Sequence, residues 1–144
     1  MSANSQFSVA IHLLCFLELR KNIRITSERL AVSIGANSAI IRKIMSKLNK
    51  AGLIKSTLGT NANIMLSIGA EQISLLDIYR AIYEGKKEEL FTLHRDPNPE
   101  CPIGSKIPFL LPNVFDQIQT VLEVELSRIT VAQLAKQMED PTLG

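Results

Sequence analysis

The sequence has no tryptophan, two tyrosines and five phenylalanines among 144 residues, so its core must be aliphatic. It has two cysteines, Cys15 and Cys101. One pair cannot make the disulfide framework of a small secreted scaffold, and such sparing use suits a reducing cytoplasm. No apolar run reaches the roughly 18 residues of a membrane span. The stretch from Val9 to Leu19 is short, contains His12 and Glu18, and follows no basic segment, so no signal peptide and no membrane partner are expected. A phosphate-binding glycine loop, a nucleophile–base pair and carboxylates at catalytic spacing are also missing, which argues against an enzyme. What is present, 46% hydrophobic and 21% charged residues, is the balance of a globular domain.

Acids are scarce in one place. Residues 20–55 hold nine basic groups and a single acid, Glu28, a local charge of +8 in a chain whose net charge is +2. A basic segment against an acidic remainder suggests a face that binds a polyanion.

The pattern inside that segment is more specific. Phe7, Ala10, Ile11, Leu14 and Leu17 recur at helical spacing, predicting a helix from Ser5 to Arg20. Thr26 can cap a second, two-turn helix that carries Leu30, Ala31 and Ile34 and stops at Gly35. Asn37 can cap a third, with Ile40, Ile41, Ile44, Met45 and Leu48 as its apolar stripe. Two short helices joined by a three-residue turn, the second basic, form a helix-turn-helix pattern. The third helix would enter the major groove of DNA. Asn37, Ser38, Ala39, Ile40, Arg42 and Lys43 would lie nearest base edges, where Asn can read adenine and Arg guanine. Asn37 also reads simply as a cap. Lys47, Lys50, Lys55 and Arg29 would meet phosphates.

After Gly52 the period becomes that of strands. Leu53–Leu58 and Ile64–Ile68 flank a polar turn, giving a hairpin wing. Thr57, Gly59, Thr60 and Asn61 are its candidate DNA contacts, although no Lys or Arg occurs from Ser56 to Ala70. Ser74 and Asp77 form a capping box for a helix that Gly85 would end. Residues 86–107 follow as a linker with a Cys–Pro loop. A long helix is expected from about Pro112 to Arg128, then a short one capped by Thr130 and Gln133. The apolar stripe Leu111, Val114, Phe115, Ile118, Val121, Leu122, Leu126 and Ile129 is wide, and it reads either as a core helix or as a homodimerisation helix that buries one side on its own domain and the other on a partner. The expected organisation is a winged helix-turn-helix domain at 1–85, the linker at 86–107 and a dimerisation unit at 108–140. The fold class is mainly α with a small β-hairpin wing.

This order of elements resembles the Rrf-two family of bacterial transcription regulators, over about Ser5 to Met138. The resemblance is carried by Thr26-Ser27-Glu28-Arg29-Leu30-Ala31, by residues 41–56, and most specifically by Ile73-Ser74-Leu75-Leu76-Asp77-Ile78-Tyr79-Arg80-Ala81-Ile82. Glu89-Leu90-Phe91, His94, Pro97-Asn98-Pro99, Cys101-Pro102 and Gly104 look like the YwnA branch. The resemblance implies a homodimeric repressor on a pseudo-palindromic operator in double-stranded DNA. Relatives that bind an iron–sulfur cluster place three cysteines before the long helix, where this chain has only Cys101. A cluster needs about four ligands, so no cluster, metal or other cofactor is expected. Cys101 reads either as an inert small side chain in a loop or as a redox or electrophile sensor, whose thiolate a helix N-terminus would favour and the nearby Asp96 and Glu100 would oppose. The wing lacks the Arg common in relatives, and Arg42 stands where cluster-binding relatives often have Glu. The sequence names no effector. The alternative reading is a winged-helix interaction or sensor module that has lost DNA binding.

Overall fold

A computed structural model of the chain describes residues 3–57, 62–84 and 90–143. Gly59, Thr60 and Asn61 of the expected wing tip, and Gly85 with the connector after it, lie outside the described residues. The architecture is mainly helical with one two-stranded hairpin.

Helix α1 (Ala3–Leu19) is the axle of the core. Ala10, Leu13, Leu14, Cys15 and Leu17 are buried on it, and α2, α3, α4, β2 and α6 all pack against it. A helix enclosed on several sides is apolar around most of its girth. Each fully buried Leu or Ile stabilises this core by about 1.5–3 kcal/mol.

Helix α2 (Ser27–Ile34) opens at Thr26, whose hydroxyl accepts the Arg29 N–H at 3.3 Å. Gly35, at φ 75°, closes it by donating its N–H to the Ala31 carbonyl at 2.9 Å. A side chain is disfavoured in that left-handed conformation. Helix α3 (Ser38–Lys50) starts three residues later, with the Asn37 Oδ1 accepting the Ile40 N–H at 2.9 Å. Ile41, Ile44 and Leu48 bury its inner face. Strands β1 (Ile54–Ser56) and β2 (Ile64–Leu66) pair antiparallel, with Ile54 opposite Leu66 and Ser56 opposite Ile64.

Helix α4 (Leu75–Ile82) carries the expected capping box. Asp77 N–H donates to Ser74 Oγ and Ser74 N–H to Asp77 Oδ2. Helix α5 runs from Ile107 to Arg128, five residues longer at its start than the sequence suggests. Proline favours the first turn of a helix, but Pro108 is the one that occupies it. Pro112 sits one turn further on, so its missing N–H leaves the Pro108 carbonyl without its usual helical donor. Helix α6 (Val131–Met138) begins at the Thr130–Gln133 capping box.

Residues 108–140 do not stay together as one unit. Leu75 N–H donates to the Ile129 carbonyl at 2.8 Å and Val131 N–H to the Ile73 carbonyl at 2.9 Å, which stitches the start of α6 to the start of α4. Val131 and Ala135 are buried, and Val131 belongs to the same core as α1. The C-terminal helix therefore completes the winged-helix core, and α5 is the excursion from it.

Candidate nucleic-acid interface

The caps at Gly35 and Asn37 fix the turn between α2 and α3 and leave the outer side of α3 exposed. Ser38, Ala39, Arg42, Lys43 and Ser46 lie on that side. Ser46 follows Lys43 by three residues and Arg42 by four, so it shares a helix face with each of them. Glu28, the lone acid of the basic segment, is held below the usual carboxylate range, first by its own backbone N–H, then by the Thr26 and Ser27 hydroxyls and by Arg42. Arg29 and Lys55 are exposed on α2 and β1, and Thr57 is exposed at the end of β1.

Two expectations change, at Lys47 and at Ile40. Lys47 does not project from this face. Its ammonium donates to the Ile82 carbonyl at 3.0 Å and to Gln6 Oε1 at 3.4 Å, so it serves the C-terminus of α4. Lys50 is exposed at the end of α3 and also lines a cleft between α3 and α4. Ile40 packs half-buried against the core instead of meeting a base. Asn37 uses its carbonyl oxygen as a cap, which takes up half of the bidentate pair that adenine requires. Spacing along one helix could not reveal which flank α4 would cover.

Two residues that sequence reasoning left unassigned build the wing root. Arg24 donates from Nε to the Ala62 carbonyl at 2.7 Å. Asn63 Oδ1 accepts the Ile25 N–H at 2.8 Å, and the Ile25 carbonyl accepts the Ile64 N–H at 3.1 Å. Asn63 N–H also donates to Thr57 Oγ1 at 3.0 Å. Arg24 is thus fastened beside the hairpin with its remaining guanidinium N–H groups unused by that bond. The one signal in the sequence was its place in the basic segment.

Along α5 the wide apolar stripe separates into two. Leu126 and Ile129 pack on the core, and Phe115 stacks at a tilt on Phe91, centroids 5.5 Å apart. Leu126 and Ile129 thus form the side of the stripe that packs on its own domain, and Leu111, Phe115 and Leu122 are half-buried. Val114, Ile118 and Val121 are exposed. Phe109, Leu110 and Val124, absent from the expected set, extend that surface, with Phe109 at 78% and Val121 at 70% exposure.

Cys101 lies in the loop before α5, not at its N-terminus. Its Sγ accepts the Gly104 N–H at 3.3 Å, and this bond, with a second from Ile103 N–H, lowers the thiol pKa from its ordinary value. A side chain at position 104 would press on the Asn98 carbonyl at 2.9 Å, so the loop needs glycine there. Cys15 is 1% exposed, and burial raises its pKa to about 11.

A small aliphatic core carrying a capped helix-turn-helix, a basic outer helix face and a hairpin behind it defines a winged helix-turn-helix protein. The sequence model of the Rrf2 family, described as iron-dependent transcriptional regulator, matches residues 3–137. The chain is 38% identical over 124 residues to a Bacillus subtilis protein named as an HTH-type transcriptional regulator, YwnA, covering 86% of this chain and 90% of that one. A solved structure described as a DNA-binding protein is 28% identical with a TM-score of 0.70, covering 90% of this chain and 97% of the other. The fold is also that of CymR, the global cysteine regulator of B. subtilis, with TM-score 0.67 at 18% identity over 95% of this chain and 96% of that one. The chain belongs to the Rrf2 family of winged-helix transcription regulators.

The iron in the family description does not match this donor set. The whole chain has two cysteines and two histidines. Cys15 is enclosed in the core, His12 bonds to Ser33 Oγ at 3.1 Å, and His94 is exposed on the loop. Among the described residues no three His, Cys, Asp or Glu side chains gather as a metal site would require. No helix among them is long and apolar enough to cross a membrane.

Proposed function

We propose that the protein is a cytoplasmic, homodimeric repressor that binds a pseudo-palindromic operator in double-stranded DNA. It works without an iron–sulfur cluster and catalyses no reaction. The observation that carries this reading is the outer face of α3, where Arg42 and Lys43 stand exposed beside a wing root that holds Arg24. Arg42 reads a base edge, and Lys43, Arg29, Lys55 and Arg24 meet phosphates. Two copies join through Leu110, Val114, Ile118, Val121 and Val124 of α5, an apolar surface that a solvated monomer has no reason to keep. Repression is the outcome that family resemblance implies. Cys101 is the candidate thiol sensor, because two backbone N–H groups favour its thiolate in a loop that packs on α5 through Phe91.

The test is a titration onto the DNA upstream of the protein's own gene, read by fluorescence anisotropy at several salt concentrations. Tight binding that random DNA does not displace, with a log–log salt slope of several ions, supports a specific regulator. Equal, weak binding to this and to random DNA favours the alternative, an interaction module, whose one supporting feature is the uncharged stretch from Ser56 to Ala70.

A further inference from the structure

We propose that the cleft between α3 and α4 is a binding site for a small, multiply charged anion, a dicarboxylate or a phosphate ester. The cleft measures about 540 Å³, within the range of small-molecule sites. Among the described residues it is lined by the apolar Ala51, Leu53 and Ala81 and by the charged Lys47, Lys50, Asp77, Arg80 and Glu84.

The charges are unequal in what they have left to give. Asp77 is occupied by the Ser74 N–H of its own capping box. Arg80 has only a long, exposed pairing among the described residues, 3.8 Å from Glu123 on α5, of the kind that contributes little. Lys47 is half-buried, and its two bonds go to neutral oxygens, Ile82 O and Gln6 Oε1. A partly desolvated ammonium with no carboxylate against it among the described residues is costly, and an anion would offset that cost. Lys50 lines the same space with no ion pair among the described residues. Among the described residues three cations line the space against two carboxylates, Asp77 and Glu84, which leaves a net positive charge. The lining joins the DNA-facing helix to α4, and Arg80 joins α4 to α5. An anion bridging Lys50 and Arg80 would draw Arg80 from Glu123, and so tie occupancy to the geometry of the α3 face. That regulatory consequence rests on the DNA-binding reading; the site itself does not.

The experiment is an amide ¹H–¹⁵N titration of the full chain at constant ionic strength, without DNA. Inorganic phosphate and succinate are the probes, and chloride is the control. Saturable shifts are expected at Lys47, Lys50, Ala51, Leu53, Arg80 and Ala81, and not at Arg42 or Lys43. Saturation by succinate alone identifies a carboxylate ligand, and by phosphate alone a phosphate ester. Lys50→Gln and Arg80→Gln should each weaken binding about tenfold, whereas Glu84→Gln should tighten it several-fold. The opposite sign for Glu84→Gln is what a merely structural effect would not produce, and a dispersed spectrum shows that each variant is folded. The proposal is overturned by shifts that chloride reproduces, that never saturate, or that centre on Arg42 and Lys43. It also falls if a DNA duplex moves the Lys50 and Arg80 signals as strongly as those of Arg42, since the cleft would then belong to the DNA footprint. Because the anion titration contains no DNA, failure of the protein to bind an operator does not change its result.

Discussion

Replacing Asn63 by Ala should detach the wing root from the core. Ile25 is 1% exposed, and its N–H donates to Asn63 Oδ1 at 2.8 Å. Without the amide this donor is buried and unpaired, which costs about 1–3 kcal/mol. For a chain of this length that lowers Tm by roughly 3–10 °C. Asn63→Asp keeps the acceptor and should retain most of the stability. With no tryptophan to report, unfolding is best followed in urea by circular dichroism, at fixed protein concentration so that association does not shift the midpoint. Hydrogen exchange at the Ile25 amide supplies a local readout. A loss below about 0.5 kcal/mol, the scale of an ordinary surface substitution, with Ile25 still protected, would refute the role given to Asn63.

Arg24→Gln should reduce the salt slope of DNA binding by about 1, while Lys47→Met leaves it unchanged because that ammonium is turned to α4; equal slopes for both would undo the assignment of the DNA face. Arg42→Ala should cost about 1–3 kcal/mol at the preferred operator and relax specificity there, and a uniform loss on all sequences would make Arg42 a phosphate contact. Val121→Glu places a charge in the exposed α5 stripe and should yield monomers in sedimentation, with circular dichroism unchanged; a persistent dimer would move the interface elsewhere. Cys101 thiolate forms at lower pH than in an ordinary thiol, so iodoacetamide labelling of Cys101 should rise at lower pH than that of free cysteine. Native Cys101→Ser should stay almost unlabelled, since Cys15 is buried with a pKa of about 11. For Cys15 the folded pKa lies above the unfolded value, so the native state holds more protons and stability falls as pH rises above about 9, by up to about 1.4 kcal/mol per pH unit; Cys15→Ala should flatten that fall.

Much of this molecule is local, and local physics is legible in sequence. Caps at Thr26, Asn37, Ser74 and Thr130 act within three residues of themselves, and Gly35 stops its helix by its own conformation. The apolar period places Ile41, Ile44 and Leu48 inside and, by elimination, Arg42 and Lys43 outside. Those features are enough for the helix-turn-helix, the wing strands and the basic face. What one helix's period cannot report is which neighbour covers its flanks. Lys47 has the spacing of a phosphate contact until α4 is laid beside α3, and the α5 stripe is a single surface until Leu126 and Ile129 meet the core. The place of α6 in the core and the fastening of Arg24 and Asn63 to the wing join residues far apart in the chain, Arg24 and Ala62 by 38 positions. Sequence determined the elements and their caps because those depend on neighbours along the chain. Tertiary structure alone decided which charges face outward, because that depends on which distant helix arrives to cover the rest.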